Sequence, residues 1–160
     1  MKNMNKYKNC LLCPRKCGIN RSTGQTGVCG VSSEIKVERA ALHYWEEPCI
    51  SGKRGSGAVF FSGCSLHCVF CQNREISDGK EGKVISKERL SDIFMELADK
   101  GANNINLVTP GQYIPDIVWA VNNAKSRGMK LPIIYNTSGY ENVTELKLLE
   151  DIVDVYLPDF

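Results

Sequence analysis

Eight cysteines, seven of them in two short groups, constrain this 160-residue chain more than any other feature. They are Cys10, Cys13, Cys17 and Cys29, then Cys49 alone, then Cys64, Cys68 and Cys71. An even number fits a disulfide framework in a secreted protein. The start, Met1 to Asn9, argues otherwise: it is polar and basic with no apolar run behind it, so no secretory signal is expected. Nor is any stretch apolar over the length needed to span a bilayer. Cysteines two or three residues apart also suit a shared metal better than separate crosslinks. They are read as reduced, metal-binding thiols of a cytoplasmic protein.

Composition narrows the partners. An apolar share of 42% and a charged share of 24% are ordinary for a globular chain. The 20 Lys and Arg nearly balance the 18 Asp and Glu, a formal net charge of +2. So small an excess predicts neither a nucleic-acid nor a membrane partner.

The chain changes character near residue 50. Residues 1–50 are Cys-rich, Gly-rich and read as irregular, a small metal-binding segment. Residues 51–160 alternate apolar runs with helical patterns. Ala58 to Phe61 reads as a strand. A helix follows from Lys87, capped by Ser86, with Leu90, Ile93, Phe94, Leu97 and Ala98 on one face and Gly101 as its stop. Ile105 to Val108 is a second strand. A helix with Pro115 in its first turn follows, its stripe being Ile114, Ile117, Val118, Val121 and Ala124. The third strand is Ile133 to Tyr135. Asn142 and Glu145 resemble a capping box opening a third helix, and Val153 to Leu157 is a fourth strand. Alternating strands and helices predict an α/β fold with a parallel sheet. Ser51 to Gly57 and Ser77 to Lys83 read as loops, and the lone Cys49 as a buried small side chain.

The segment FFSGCSLHCVFCQN, Phe60 to Asn73, starts as a strand and enters a long loop with C-x3-C-x2-C spacing. A [4Fe–4S] cluster usually takes four cysteines. Three leave one iron without a protein ligand, free for the amino and carboxylate groups of S-adenosylmethionine (SAM). An electron from the cluster then breaks the sulfonium C–S bond and yields a 5′-deoxyadenosyl radical, chemistry that belongs to the cofactor. The alternative is a zinc site made of the three cysteines and His67. Cys10, Cys13, Cys17 and Cys29 form a second candidate site of four soft ligands, for zinc or a second iron–sulfur cluster. Without a metal they are simply four free thiols.

C-x3-C-x2-C with Phe70 just before the third cysteine resembles the radical SAM superfamily signature. With Gln72 and Asn73 the string resembles the pyruvate formate-lyase activating enzyme group, and it is most similar to a branch of uncharacterised activating-enzyme-like iron–sulfur proteins. The resemblance continues through CPRKCGINR, EEPCISG, INLVTP, IYNTSGY and VYLPDF. It implies a partial (β/α) TIM-like barrel, here truncated after about four strands, since a complete barrel takes roughly 250 residues. Residues 51–160 would be its N-terminal part. It implies cofactor contacts from Phe70 to the adenine and from Thr109, Gly111 and Asn136 at the strand ends. Thr109-Pro110-Gly111-Gln112 departs from the family's common Gly-Gly-Glu form. Implied partners are a flavodoxin or ferredoxin as electron donor, a glycyl-radical enzyme as substrate, and the missing C-terminal half of the barrel. The contrasting readings are a non-catalytic zinc-binding module and an inactive fragment.

Overall fold

The computed structural model describes residues 6–159. Met1 to Asn5 of the polar start, and the terminal Phe160, lie outside them.

In chain order the elements are β1 (Ile35–His43), α1 (Pro48–Ser51), β2 (Ser56–Phe61), α2 (Arg74–Ser77), β3 (Lys83–Ile85), α3 (Lys87–Asp99), β4 (Ile105–Val108), α4 (Ile114–Ser126), β5 (Ile133–Thr137), α5 (Val143–Leu146) and β6 (Val155–Pro158). Six strands form one sheet in the order β3-β1-β2-β4-β5-β6. β2, β4, β5 and β6 run parallel, whereas β1 is antiparallel to both β2 and β3. The fold is therefore α/β with a mostly parallel sheet. The sheet is open, with β3 and β6 at its edges, and not a closed barrel.

Burial follows from position. β2 lies between two neighbours, and its run Ala58, Val59, Phe60, Phe61 is almost wholly buried, as inner parallel strands are. Side chains alternate between faces. Val59, Phe61, Ile105, Leu107, Ile133 and Tyr135 project from one face into a core shared with α3 and α4. α3 supplies Leu90, Ile93, Phe94 and Leu97; α4 supplies Ile114, Ile117, Val121 and Ala124. Ser86 caps α3 by accepting from the Arg89 N–H at 3.1 Å, and Gly101, at φ 84°, ends it.

Several expectations are corrected. Residues up to 50 are not all irregular, because β1 occupies nine of them and pairs with β2. Its pattern, IKVERAALH, has too many polar positions to read as a strand. The expected loop between Ser62 and Ile85 contains α2 and β3. The fourth parallel strand starts at Val155, two residues later than expected, because Ile152 and Val153 turn into the core instead. The capping box does not form: Asn142 donates to the Leu11 carbonyl at 2.7 Å and Glu145 binds the Lys6 ammonium at 2.8 Å. Both side chains are drawn to the N-terminal segment, and α5 is only one turn long. Among the described residues no helix is long and apolar enough to cross a membrane.

The N-terminal segment is anchored on α4. Tyr7 is buried and its hydroxyl donates to Asp116 Oδ2 at 2.6 Å. Burial raises the Asp116 carboxyl above the usual carboxylate range, and the Tyr7 hydrogen bond opposes that rise in part.

Phe94 is fully buried. Phe94→Ala is expected to lower stability by about 3–5 kcal/mol in urea unfolding, whereas the exposed Glu96→Ala changes it little. Asp116 generates a pH dependence. A carboxyl that holds its proton more tightly when folded adds stability below the ordinary Asp value, about 3.9. That stability is lost as pH rises from there through the raised folded value. Asp116→Asn is expected to remove this loss, so the variant gains on the parent across that window; parallel denaturation curves over the pH range check it.

Candidate metal and cofactor site

Parallel register places the chemistry. Phe60, Val108, Asn136 and Leu157 are neighbours across β2, β4, β5 and β6. The segments that follow them therefore leave the sheet side by side: Ser62 to Cys71, Thr109 to Gly111, and Asn136 to Gly139.

The cysteine loop is held tightly where it leaves β2. The Ser62 N–H donates to the Lys36 carbonyl at 2.8 Å, and Ser62 Oγ donates to the Glu81 carbonyl at 2.6 Å. Gly63 sits at φ 87°, and a Cβ there would come within 2.6 Å of the Cys29 carbonyl oxygen. Only glycine fits both demands. Cys64 follows at once, and its sulfur accepts the Leu66 N–H at 3.4 Å. Hydrogen bonds to the ligand sulfurs tune iron–sulfur centres. A turn then closes from the Cys71 N–H to the Cys68 carbonyl at 3.1 Å. Cys64, Cys68 and Cys71 are all free and half-buried, while Val69 and Phe70 are exposed, Phe70 at 83%.

His67 is engaged elsewhere. Its Nε2 donates to the Val28 carbonyl at 2.6 Å, and its Nδ1 lies 3.7 Å from Asp78. Among the described residues no three His, Cys, Asp or Glu side chains stand at single-ion distance. With its two ring nitrogens turned to Val28 and Asp78, His67 gives a Cys3His zinc site no support. The donor set does fit a four-iron cluster, in which each cysteine binds a different iron and the sulfurs stay apart.

Thr109, Gly111 and Asn136 lie where the strands end. Thr109 is a β-branched residue at φ 54°, an uncommon backbone state that marks sites under tertiary constraint. Its N–H donates to the Asn136 carbonyl at 3.0 Å, tying the ends of β4 and β5 together. Gly111 faces Glu141 and the Tyr135 hydroxyl, which would lie 3.4 and 3.5 Å from a Cβ there. Asn136 is half-buried on the sheet face opposite the helices.

Sequence reasoning missed the residues that hold this site together. Gln112 is buried, and its amide donates to the carbonyls of Ser62 (3.0 Å), Gly63 (2.8 Å) and Thr109 (2.9 Å). Tyr113 adds a hydroxyl to the Ser62 carbonyl at 3.3 Å. Arg15 donates to the carbonyls of Ser65 and Leu66, and its guanidinium lies over Tyr140. Glu141, whose carboxyl burial raises, accepts from Thr137. The Tyr135 hydroxyl is buried with no hydrogen-bond partner among the described residues. No local pattern marks Gln112, Tyr113 and Arg15 as supports of the Cys64 loop, because each acts there on a segment about 50 residues away.

The remaining cysteines divide. Cys10, Cys13, Cys17 and Cys29 line one small cavity. Cys49 is exposed on α1, contrary to the buried position expected for a lone cysteine. A wider cleft of about 520 Å³, bordered by Lys6, Lys16, Asn142 and Glu145, contains none of the eight cysteines.

Residues 58–158 match the model of the Radical SAM superfamily. Over 98% of its length the chain is 31% identical to the uncharacterized protein MJ0674 of Methanocaldococcus jannaschii. It spans 46% of that relative's length. No solved structure matches the chain.

Replacing Gln112 tests the positioning role. Gln112→Leu leaves buried carbonyls unpaired and is expected to cost about 1–3 kcal/mol. Amide hydrogen exchange should quicken across residues 62–66. An unaltered exchange profile there would count against the role.

Proposed function

This chain belongs to the radical SAM superfamily, and from that premise we propose that Cys64, Cys68 and Cys71 hold a [4Fe–4S] cluster and that the protein cleaves SAM reductively. The observation that carries the reading is the loop after β2: three free, half-buried thiols in C-x3-C-x2-C spacing, within the matched region, at the C-terminal edge of a parallel sheet. A cluster held by Cys64, Cys68 and Cys71 would supply the one electron that splits the SAM sulfonium into methionine and a 5′-deoxyadenosyl radical.

The chain's own residues orient and shield. The Leu66 N–H donates to Cys64 sulfur and orients it. Gln112 and Arg15 fix the loop backbone, so the three sulfurs keep their spacing. Phe70 offers an uncovered apolar ring beside Cys71, suited to an adenine face. Thr109, Gly111 and Asn136 present polar backbone and amide groups at the neighbouring strand ends, where the amino, carboxylate and ribose groups of SAM would lie. Ligands of open α/β sheets bind at this edge. The four parallel strands are read as the beginning of a partial barrel.

The finer reading is that of a pyruvate formate-lyase activating-like protein, with a flavodoxin or ferredoxin as electron donor and a glycine of a partner enzyme as the site of hydrogen abstraction. It rests on the sequence resemblance.

Anaerobic reconstitution tests the reaction. The parent chain is expected to turn brown, change its electron paramagnetic resonance signal on addition of SAM, and form 5′-deoxyadenosine under dithionite. The C64A/C68A/C71A variant should hold about four fewer irons per chain and form no 5′-deoxyadenosine. An iron-loaded parent whose spectrum ignores SAM would sink the proposal. A carbon-centred radical on an added glycyl-radical enzyme would carry the finer reading, and its absence would remove it.

A further inference from the structure

The cavity lined by the N-terminal cysteines is a built site. Cys10, Cys13, Cys17 and Cys29 surround a space of about 20 Å³, together with Leu12, Arg21, Gly27, Ser65 and Gln112. Local backbone geometry brings them there. The Cys10 N–H donates to the Ile19 carbonyl and the Gly18 N–H to the Cys10 carbonyl, both at 3.0 Å. Between them the Lys16 N–H closes a turn on the Cys13 carbonyl, with Lys16 at φ 46° and Gly18 at φ 65°. A second turn, from the Gly30 N–H to the Gly27 carbonyl, presents Cys29. Gly27 packs so closely that a Cβ there would lie 3.0 Å from Cys17 Sγ. All four thiols are free, and Cys10 and Cys29 are buried.

A separate observation points to a missing negative charge. Arg21 is only 1% exposed. Its guanidinium donates to the carbonyls of Val31 (3.2 Å) and Gln112 (2.9 Å), to that of Ser32, and to Cys10 Sγ at 3.7 Å. It lies between the rings of Tyr7 and Tyr113. Among the described residues no carboxylate stands within ion-pair distance of it. Asp116, close by, accepts from Tyr7 instead. A buried cation surrounded by neutral acceptors is costly unless an anion compensates it.

We propose that Cys10, Cys13, Cys17 and Cys29 form a second, closed metal centre: four thiolates binding a thiophilic metal, with Arg21 as its buried counter-charge. As the four metal–sulfur bonds form, the four thiol protons leave to solvent. A zinc ion and an oxidised iron–sulfur cluster share this chemistry, since each with four thiolates carries a net charge of −2. Arg21 offsets half of it. No three of the four sulfurs stand at single-ion distance, so metal binding requires the thiols that ring the cavity to turn inward. The centre also explains how so short a segment, whose apolar cluster among the described residues is Tyr7, Cys10 and Leu12 with Ile19 packed against them, holds its shape. Through Ser65, Gln112 and Arg15 it abuts the loop that begins with Cys64.

The full-length C64A/C68A/C71A chain isolates this centre, because the ligands of the proposed SAM cluster are gone. Anaerobic titration with cobalt(II) is expected to give the visible absorption of tetrahedral thiolate-bound cobalt, saturating at about one equivalent. Cys17→Ser in that background should weaken binding by about tenfold or more. Because a cysteine variant can fail by unfolding, alkylation mapped by mass spectrometry supplies a second readout. Metal should protect Cys10, Cys13, Cys17 and Cys29 of the unsubstituted chain and leave the exposed Cys49 reactive. Metal and acid-labile sulfide analysis of the C64A/C68A/C71A chain as purified distinguishes the sources: zinc without sulfide, or iron with sulfide, each supporting the centre. No cobalt absorption, or equal alkylation of the four cysteines with and without metal, overturns it.

Discussion

The constraint on which the rest of the structure depends is the parallel register of β2, β4 and β5. It sets Phe60, Val108 and Asn136 in one row, so three connections leave the sheet at the same edge. A shift of one residue in β4 would turn Leu107 out of the core and move Thr109 away from the Asn136 carbonyl. The register is well defended, because Val59, Leu107 and Tyr135 interlock with α3 and α4 on the covered face. Packing on one face thus fixes chemistry at one edge.

Rigidity at that edge comes from hydrogen bonds more than from apolar contact. The carbonyls of Ser62, Gly63 and Thr109 converge on one buried amide, that of Gln112. The Gln112 main-chain carbonyl then accepts from Arg21, which also reaches Cys10 sulfur. A continuous polar path joins the N-terminal cysteines to the loop of Cys64. Buried networks of this kind specify one arrangement when every member is satisfied. The same network ties the N-terminal segment to the sheet, although a division near residue 50 falls between β1 and β2, two neighbouring strands.

Legibility in the sequence varied with the range of the interaction. The faces of α3 and α4, the Ser86 cap and the strand cores were readable because period and capping are local signals. β1 was not, since Lys36, Glu38 and Arg39 break its pattern and its pairing partner starts 13 residues after it ends. The Asn142 and Glu145 pair carried the right local signal and still formed no box, because Leu11 and Lys6 compete for both side chains. Cys49 was misplaced for a related reason: residue type predicts average burial, and Cys49 falls on the outward side of the short α1, whose Ser51 is buried.

By itself the sequence determined the grouping of the cysteines, because residues within a few positions of one another share a site through the reach of the backbone alone. It also determined the helix faces and the α/β alternation. Only the tertiary structure decided that Gln112 would brace the Cys64 loop, that His67 would turn to Val28, and that Arg21 would be buried beside Cys10 with no carboxylate partner among the described residues. Each of those depends on segments brought together by sheet register and helix packing, and no local spacing encodes that.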